Sequence, residues 1–248
     1  MRRILACLGL LALASCGSGG RDPIVQAALD QAGGLWGKTR PAREMERAEP
    51  PRAVTRADID RAGVAAINAR LGSDPAPTLL YAAANNGGYV TYLSPLRQEI
   101  TLRGAAQITG TRGLGTDLLS AWSSSPDPLA VAIPPSRWPA RVQRTYQLPG
   151  VGVGPTGNVL TFDCTFERGD VSEITILQVR HRGVEISETC TGPSGSFENL
   201  HFADVDTGFV WRTLQWTGPK MELLDLQVIE PYTGNLTEGS DRDRRVRG

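Results

Sequence analysis

The feature that most restricts this chain is a strict alternation at residues 159–167, where Leu160, Phe162, Cys164 and Phe166 are separated by single polar residues. A strand sends successive side chains to opposite faces, so such a segment buries one face and wets the other. Residues 184–190 repeat the pattern, with Val184, Ile186 and Cys190 on one face. Both cysteines thus sit on the apolar faces of their strands. Between them, residues 173–180 read as a strand of their own, set off by turns at Arg168-Gly169-Asp170 and Arg182-Gly183. First and third strands of a flat meander lie about 9.5 Å apart, beyond disulfide reach. A Cys164–Cys190 bridge therefore requires the sheet to fold over, or the two strands to be direct neighbours. The expected fold is mainly β, with antiparallel sheets folded into a sandwich or barrel and one or two short N-terminal helices. The 28 glycines, 17 prolines and short Val/Ile/Thr/Phe runs agree with that class.

A second constraint lies at the start. Arg2 and Arg3 precede an apolar run at residues 4–14, and Leu13-Ala14-Ser15-Cys16 has the form of a lipobox. The run is too short to span a bilayer as a helix, so residues 1–15 read as a signal peptide and Cys16 as the lipidation site. Two or more acyl chains hold a protein stably to a membrane. Gly17 is not an aspartate of the inner-membrane retention type, which predicts an outer-membrane location facing the periplasm. Residues 16–53 read as a lipidated flexible tether, 54–232 as the β-rich domain and 233–248 as a disordered tail. Cys7 leaves with the leader, so Cys164 and Cys190 remain to form one disulfide in an oxidising compartment. His181 and His201 are the only histidines, and neither stands at metal-ligand spacing from a cysteine, so no metal or cofactor is expected. Losing Arg2 and Arg3 leaves 24 basic residues against 26 acidic ones. Without a broad basic field, nucleic acid is excluded as a partner.

Along the domain, Thr55-Arg56-Ala57-Asp58 has the pattern of a helix cap followed by an acidic third position, predicting a helix over 56–62 that stops near Gly63. Residues 64–71 read either as its continuation or as a first strand. A marginal helix is also readable at 23–33. Period-two segments at 78–84 and 89–93 flank Asn85-Asn86-Gly87-Gly88, a hairpin signal. Residues 98–102 and 106–109 form a second pair around Arg103-Gly104. Residues 123–139 are a proline-punctuated connection, and later strands are readable at 197–202, 209–216 and 221–229.

Few motifs carry chemistry. Arg112-Gly113-Leu114-Gly115 lacks the third glycine of a dinucleotide fingerprint and the lysine of a phosphate loop; its glycines suit a bend that Asp117 caps. Asp204-x-Asp206-x-Gly208 opens like a calcium loop, but Gln215 stands where the bidentate glutamate belongs, which leaves a hairpin turn. His201 with Glu198, Asp204 and Asp206 is the one readable acid–base cluster, without a nucleophile elbow or paired carboxylates beside it. Trp211 and Trp216 are an odd number apart on one strand, so one belongs to the core and the other is free to offer its ring to a sugar, unless two layers bury both.

These residues also carry a resemblance. The lipobox, Thr55-Arg56-Ala57-x-Ile59-Asp60, Thr111-Arg112-Gly113-Leu114-Gly115-x-Asp117-Leu118-x-Ser120, Phe162-x-Cys164, Glu188-x-Cys190, Phe197-x-Asn199 and Gly208-x-Val210-Trp211-x-x-x-Gln215-Trp216 together resemble the YjbF/GfcB lipoproteins. That family is encoded with exopolysaccharide and group 4 capsule secretion genes in Gram-negative bacteria. The resemblance spans about residues 54–230. It implies a β-rich fold and a non-catalytic role assisting polysaccharide export or assembly, with the polysaccharide and export-complex proteins as partners. Family members carry another aromatic near His201 and Phe202, so His201 is a local departure. The alternative is a periplasmic glycan-modifying enzyme, which needs two carboxylates converging in a cleft. The expected working surface comprises Arg112, Gly113, Gly115, Asp117, Asn199, Trp211, Gln215 and Trp216.

Overall fold

The structure, a computed structural model, describes residues 53–70, 77–104, 106–124, 126–150 and 157–234. The leader, Cys16, the segment up to residue 52 with its helix at 23–33, and residues 235–248 lie outside the described residues. Helix α1 (Arg56–Ala62) forms where the cap pattern predicts it: the Thr55 N–H donates to the Asp58 carboxylate at 2.9 Å, and Gly63 ends it with φ +64°. Twelve strands follow: β1 (Ala66–Arg70), β2 (Thr78–Asn86), β3 (Tyr89–Leu93), β4 (Glu99–Arg103), β5 (Gln107–Arg112), β6 (Ser120–Ser123), β7 (Arg141–Leu148), β8 (Asn158–Ile176), β9 (Val179–Gly192), β10 (Gly195–Asp204), β11 (Val210–Gly218) and β12 (Glu222–Glu230).

All twelve belong to one antiparallel sheet ordered β5-β4-β3-β2-β1-β12-β11-β10-β9-β8-β7-β6. Sequence neighbours pair except β5 with β6, and β1 joins β12, with Asn68 opposite Gln227. The sheet therefore curls into a nearly closed barrel whose one unladdered seam lies between β5 and β6. Side chains from both walls fill it. Tyr146 of β7 and Phe162 of β8 meet Trp216 of β11 across the interior, with ring centroids 5.0 and 5.5 Å apart. Ile67, Leu80, Ile100, Leu102, Leu224 and Leu226 are buried in the same core.

The connection between β6 and β7 packs on the shell. Its Leu129 is buried with Ala106, Val184, Ile186, Ala203 and Val210, and Trp138 donates to the Ile133 carbonyl while packing edge-on to Phe166 at 5.1 Å. Gly208 (φ +75°) lies so close to this segment that an added Cβ would fall within 2 Å of the Ile133 carbonyl oxygen.

The cysteine strands differ from the sequence reading. There are two long strands where three short ones are expected, and they turn at Leu177-Gln178, not at Arg168-Gly169-Asp170 or Arg182-Gly183. Both turn residues have positive φ, +41° and +72°. Such a two-residue turn ordinarily asks for Asn or Gly. Packing of Ile174, Ile176 and Leu177 against Ile59 and Ile229 holds it instead. Gly169 and Asp170 fall in a bulge between Arg168 and Val171. Gly183 stays within β9, where a Cβ would come within 2.6 Å of both the Ala203 carbonyl and the Phe202 ring. Cys164 and Cys190 are thus direct cross-strand neighbours, joined by the disulfide with Cα atoms 4.0 Å apart. The bridge does not require the sheet to fold over; the β1–β12 pairing and interior packing accompany that closure. Residues 66–70 are strand despite their alanines, because β2 and β12 pair with them on either side.

Candidate functional site

The barrel places its chemistry in two places, one sealed and one open. The sealed one is a ring of polar side chains inside the shell. The Ile108 N–H donates to Gln215 Oε1 at 3.3 Å, and Gln215 Nε2 donates to the Ala106 carbonyl and to Thr213 Oγ1. Thr213 Oγ1 lies 2.8 Å from His201 Nδ1, and His201 Nε2 lies 3.1 Å from Glu188 Oε2, which also accepts from Asn199 Nδ2 at 2.7 Å. A carboxylate only accepts, so His201 carries its proton on Nε2 toward Glu188. Arg144 then donates through Nε to Glu188 and through both terminal nitrogens to Asp127, at 2.8 and 3.3 Å. Asp127 accepts from Ser123, and Ser123 accepts from Gln107, which returns the ring to β5.

Each member from Asp127 to Gln215 is almost wholly buried, and Glu188 and Asn199 are 0 % exposed. Burial alone would raise the Glu188 carboxyl, but the Arg144 charge, with His201 and Asn199 hydrogen bonds, outweighs it and pushes the group down to about 2. Burial likewise opposes the Arg144 charge, yet Glu188 and Asp127 together raise its pKa. A Glu–His–Thr alignment superficially suits a proton relay. Here the hydroxyl is 1 % exposed and already accepts from Gln215, so no substrate reaches it. The ring works structurally, tying β5 to β11 across the interior and to β6 at the seam.

This geometry corrects several sequence expectations. His201 meets Glu188, Thr213 and the Trp138 ring (6.2 Å), not Glu198, Asp204 and Asp206. Asp204 instead accepts from the Asp206 and Thr207 backbone, the hairpin turn anticipated for that motif. Asn199 and Gln215 are interior ties and belong to no surface. Trp211 and Trp216 are each half-buried against the core, Trp211 beside His181 at 3.9 Å and Trp216 stacked on Phe197 at 4.5 Å. Asp117 is a loop staple: it accepts from the Gly113 and Leu114 N–H groups at 2.9 and 3.0 Å and from Thr111 Oγ1. Gly113 and Gly115 supply the positive φ of that loop, +76° and +98°.

The open place is the seam. The Thr111 N–H reaches the Leu118 carbonyl at 3.0 Å, and Arg112 donates to the Leu118 and Leu119 carbonyls at 3.0 and 3.4 Å, so one backbone bond and the Arg112 side chain stand in for a ladder. Over this seam lies a groove of about 400 Å³ reaching from Tyr89 and Glu99 to Ser120 and Trp122. Of the expected surface residues only Arg112 lines it. Sequence reasoning missed Tyr89, Glu99 and Trp122, and also Asp127, Arg144 and Glu188. Glu188 left a signal, since it stands in phase with Ile186 and Cys190 on the buried face.

No curated protein matches the chain in sequence. Among solved structures, the hypothetical lipoprotein YmcC of Escherichia coli K12 is alike in fold, with a TM-score of 0.61 and 17 % identity over 79 % of this chain and 99 % of its own. An exported protein with YmcC-like fold from Bacteroides fragilis covers 67 % of this chain and 93 % of its own at 8 % identity, with a TM-score of 0.33. The profile of the group 4 capsule polysaccharide lipoprotein family GfcB, YjbF matches residues 25–229, from before the barrel to the end of its last strand, and the chain belongs to that family.

Proposed function

We propose that this protein is a lipoprotein anchored through Cys16 to the outer membrane, facing the periplasm, where it assists capsule polysaccharide export or assembly without catalysing a reaction. The observation that carries the non-catalytic part is the distribution of acid groups. Glu188 and Asp127 are sealed with their cations, and the lining of the seam groove holds a single carboxylate, Glu99, where glycoside hydrolysis ordinarily uses two. Family membership supports the capsule assignment. Deleting the gene is expected to reduce surface polysaccharide, and Cys16→Ala is expected to release the protein from the membrane fraction and reproduce that loss. Unchanged polysaccharide amount, length and location in the deletion strain would sink the reading. Polymer in its normal place but with altered chain length or substituents would favour a glycan-modifying enzyme.

A further inference from the structure

The seam groove has the chemistry of a sugar site. Trp122 stands at one side and is 45 % exposed, in contrast to the half-buried Trp211 and Trp216. Tyr89 is also exposed, at 39 %, and Arg103 sits over its ring at 5.7 Å from the centroid. Exposed aromatic rings present a flat apolar face with little rotamer freedom to lose. The axial C–H groups of a pyranose match such a face. Between the rings the floor is low where Gly110 has no side chain, and the groove is lined there by Thr101 and Thr109. The Glu99 carboxylate forms no ion pair or hydrogen bond among the described residues, although Arg112 is its cross-strand partner. Arg112 gives its N–H groups to backbone carbonyls, so its charge also has no carboxylate partner there. A free carboxylate suits vicinal hydroxyls, and an unneutralised guanidinium suits an acidic or hydroxyl oxygen. At about 400 Å³ the groove falls at the lower end of the roughly 300–1,000 Å³ typical of small-ligand sites, enough for a short run of polymer but not a protein domain.

We infer that this groove binds a short segment of polysaccharide chain, with a sugar ring stacked on Trp122 and sugar hydroxyls donated to Glu99. The inference rests on the proposed capsule role and supplies its ligand contact. The site is open to solvent and lies over the one place where the barrel is not laddered.

The test uses the purified lipid-free protein and oligosaccharide fragments of the surface polysaccharide taken from the cells that encode it, with dextran fragments as the comparison. Calorimetry is expected to show binding of the former. Trp122→Ala and Glu99→Ala are each expected to weaken it about tenfold, the size of one lost ring contact or one charge-assisted hydrogen bond, and Trp122→Phe is expected to retain most of it. Leu96→Ala, on an exposed turn outside the groove, is expected to bind as wild type. Melting curves of all four variants should coincide with wild type within a few degrees. Absence of binding by the wild-type protein, or binding by Trp122→Ala and Glu99→Ala equal to wild type, overturns the groove assignment. Equal binding of dextran overturns its selectivity for the capsule polymer. If the gene deletion lowers capsule but both alanine variants restore it in full, the capsule role stands and the groove does not. If the deletion itself has no effect on capsule, it is the role that fails.

Discussion

Glu188 shows how much one side chain decides here. It is wholly buried, bonded to Arg144, Asn199 and His201, and its carboxyl is held near 2 against an ordinary 4.5. A depressed carboxyl contributes stability that is present above its unfolded value and disappears as pH falls through the folded one. The wild-type protein should therefore lose stability between about pH 4.5 and 2, over and above any general acid effect. Glu188→Gln should cost roughly 3 kcal/mol at pH 7, the low end for removing one partner of a buried pair, since Asp127 still holds Arg144. The gap between variant and wild type should shrink by pH 3 in urea unfolding; an identical gap at both pH values would refute the linkage. Gln215 gives a second residue-scale expectation. Its alanine variant leaves the Ile108 N–H and the Ala106 carbonyl without a partner, a loss of about 1–3 kcal/mol readable as a lower Tm. An unchanged Tm combined with lost capsule would return Gln215 to the working surface.

At the scale of elements, the β8–β9 hairpin explains both what the sequence disclosed and what it hid. The alternation of Leu160, Phe162 and Cys164 is visible because its inward positions are apolar. The turn is not, because Leu177 and Gln178 take positive φ under tertiary packing while glycines nearby serve a bulge and a close approach. Strand β7 is hidden for a related reason: its inward set Val142, Arg144, Tyr146 and Leu148 includes a charge, which blurs the pattern. The groove was illegible because Trp122 of β6 meets Tyr89 and Glu99 of the paired strands β3 and β4 only across the seam that barrel closure creates. The helix at 56–62 and the hairpin around Gly87-Gly88 were legible, since cap and turn chemistry are local. The disulfide also belongs to this scale. It closes 26 residues, so reducing it should lower stability by roughly 3–4 kcal/mol on loop-entropy grounds. The hairpin should nevertheless persist, because β7 and β10 flank it with full ladders. Unfolding midpoints with and without reductant measure this; coincident midpoints would show that the bridge adds nothing to the paired strands.

For the whole molecule, the strand order is the governing fact. Every ladder joins strands adjacent in sequence except one, that between β1 and β12. Nearly all of the pairing is thus local, the kind that forms early and fast. As a chain that grows from its N-terminus, the protein assembles β1 through β5 with the outer edge of β1 still bare. That edge stays exposed until the last strand arrives, and a bare edge invites pairing with another chain. The final strand is therefore both the clasp of the barrel and the end of its most vulnerable interval, and truncation before Glu222 would leave an adhesive protein, not a smaller working one.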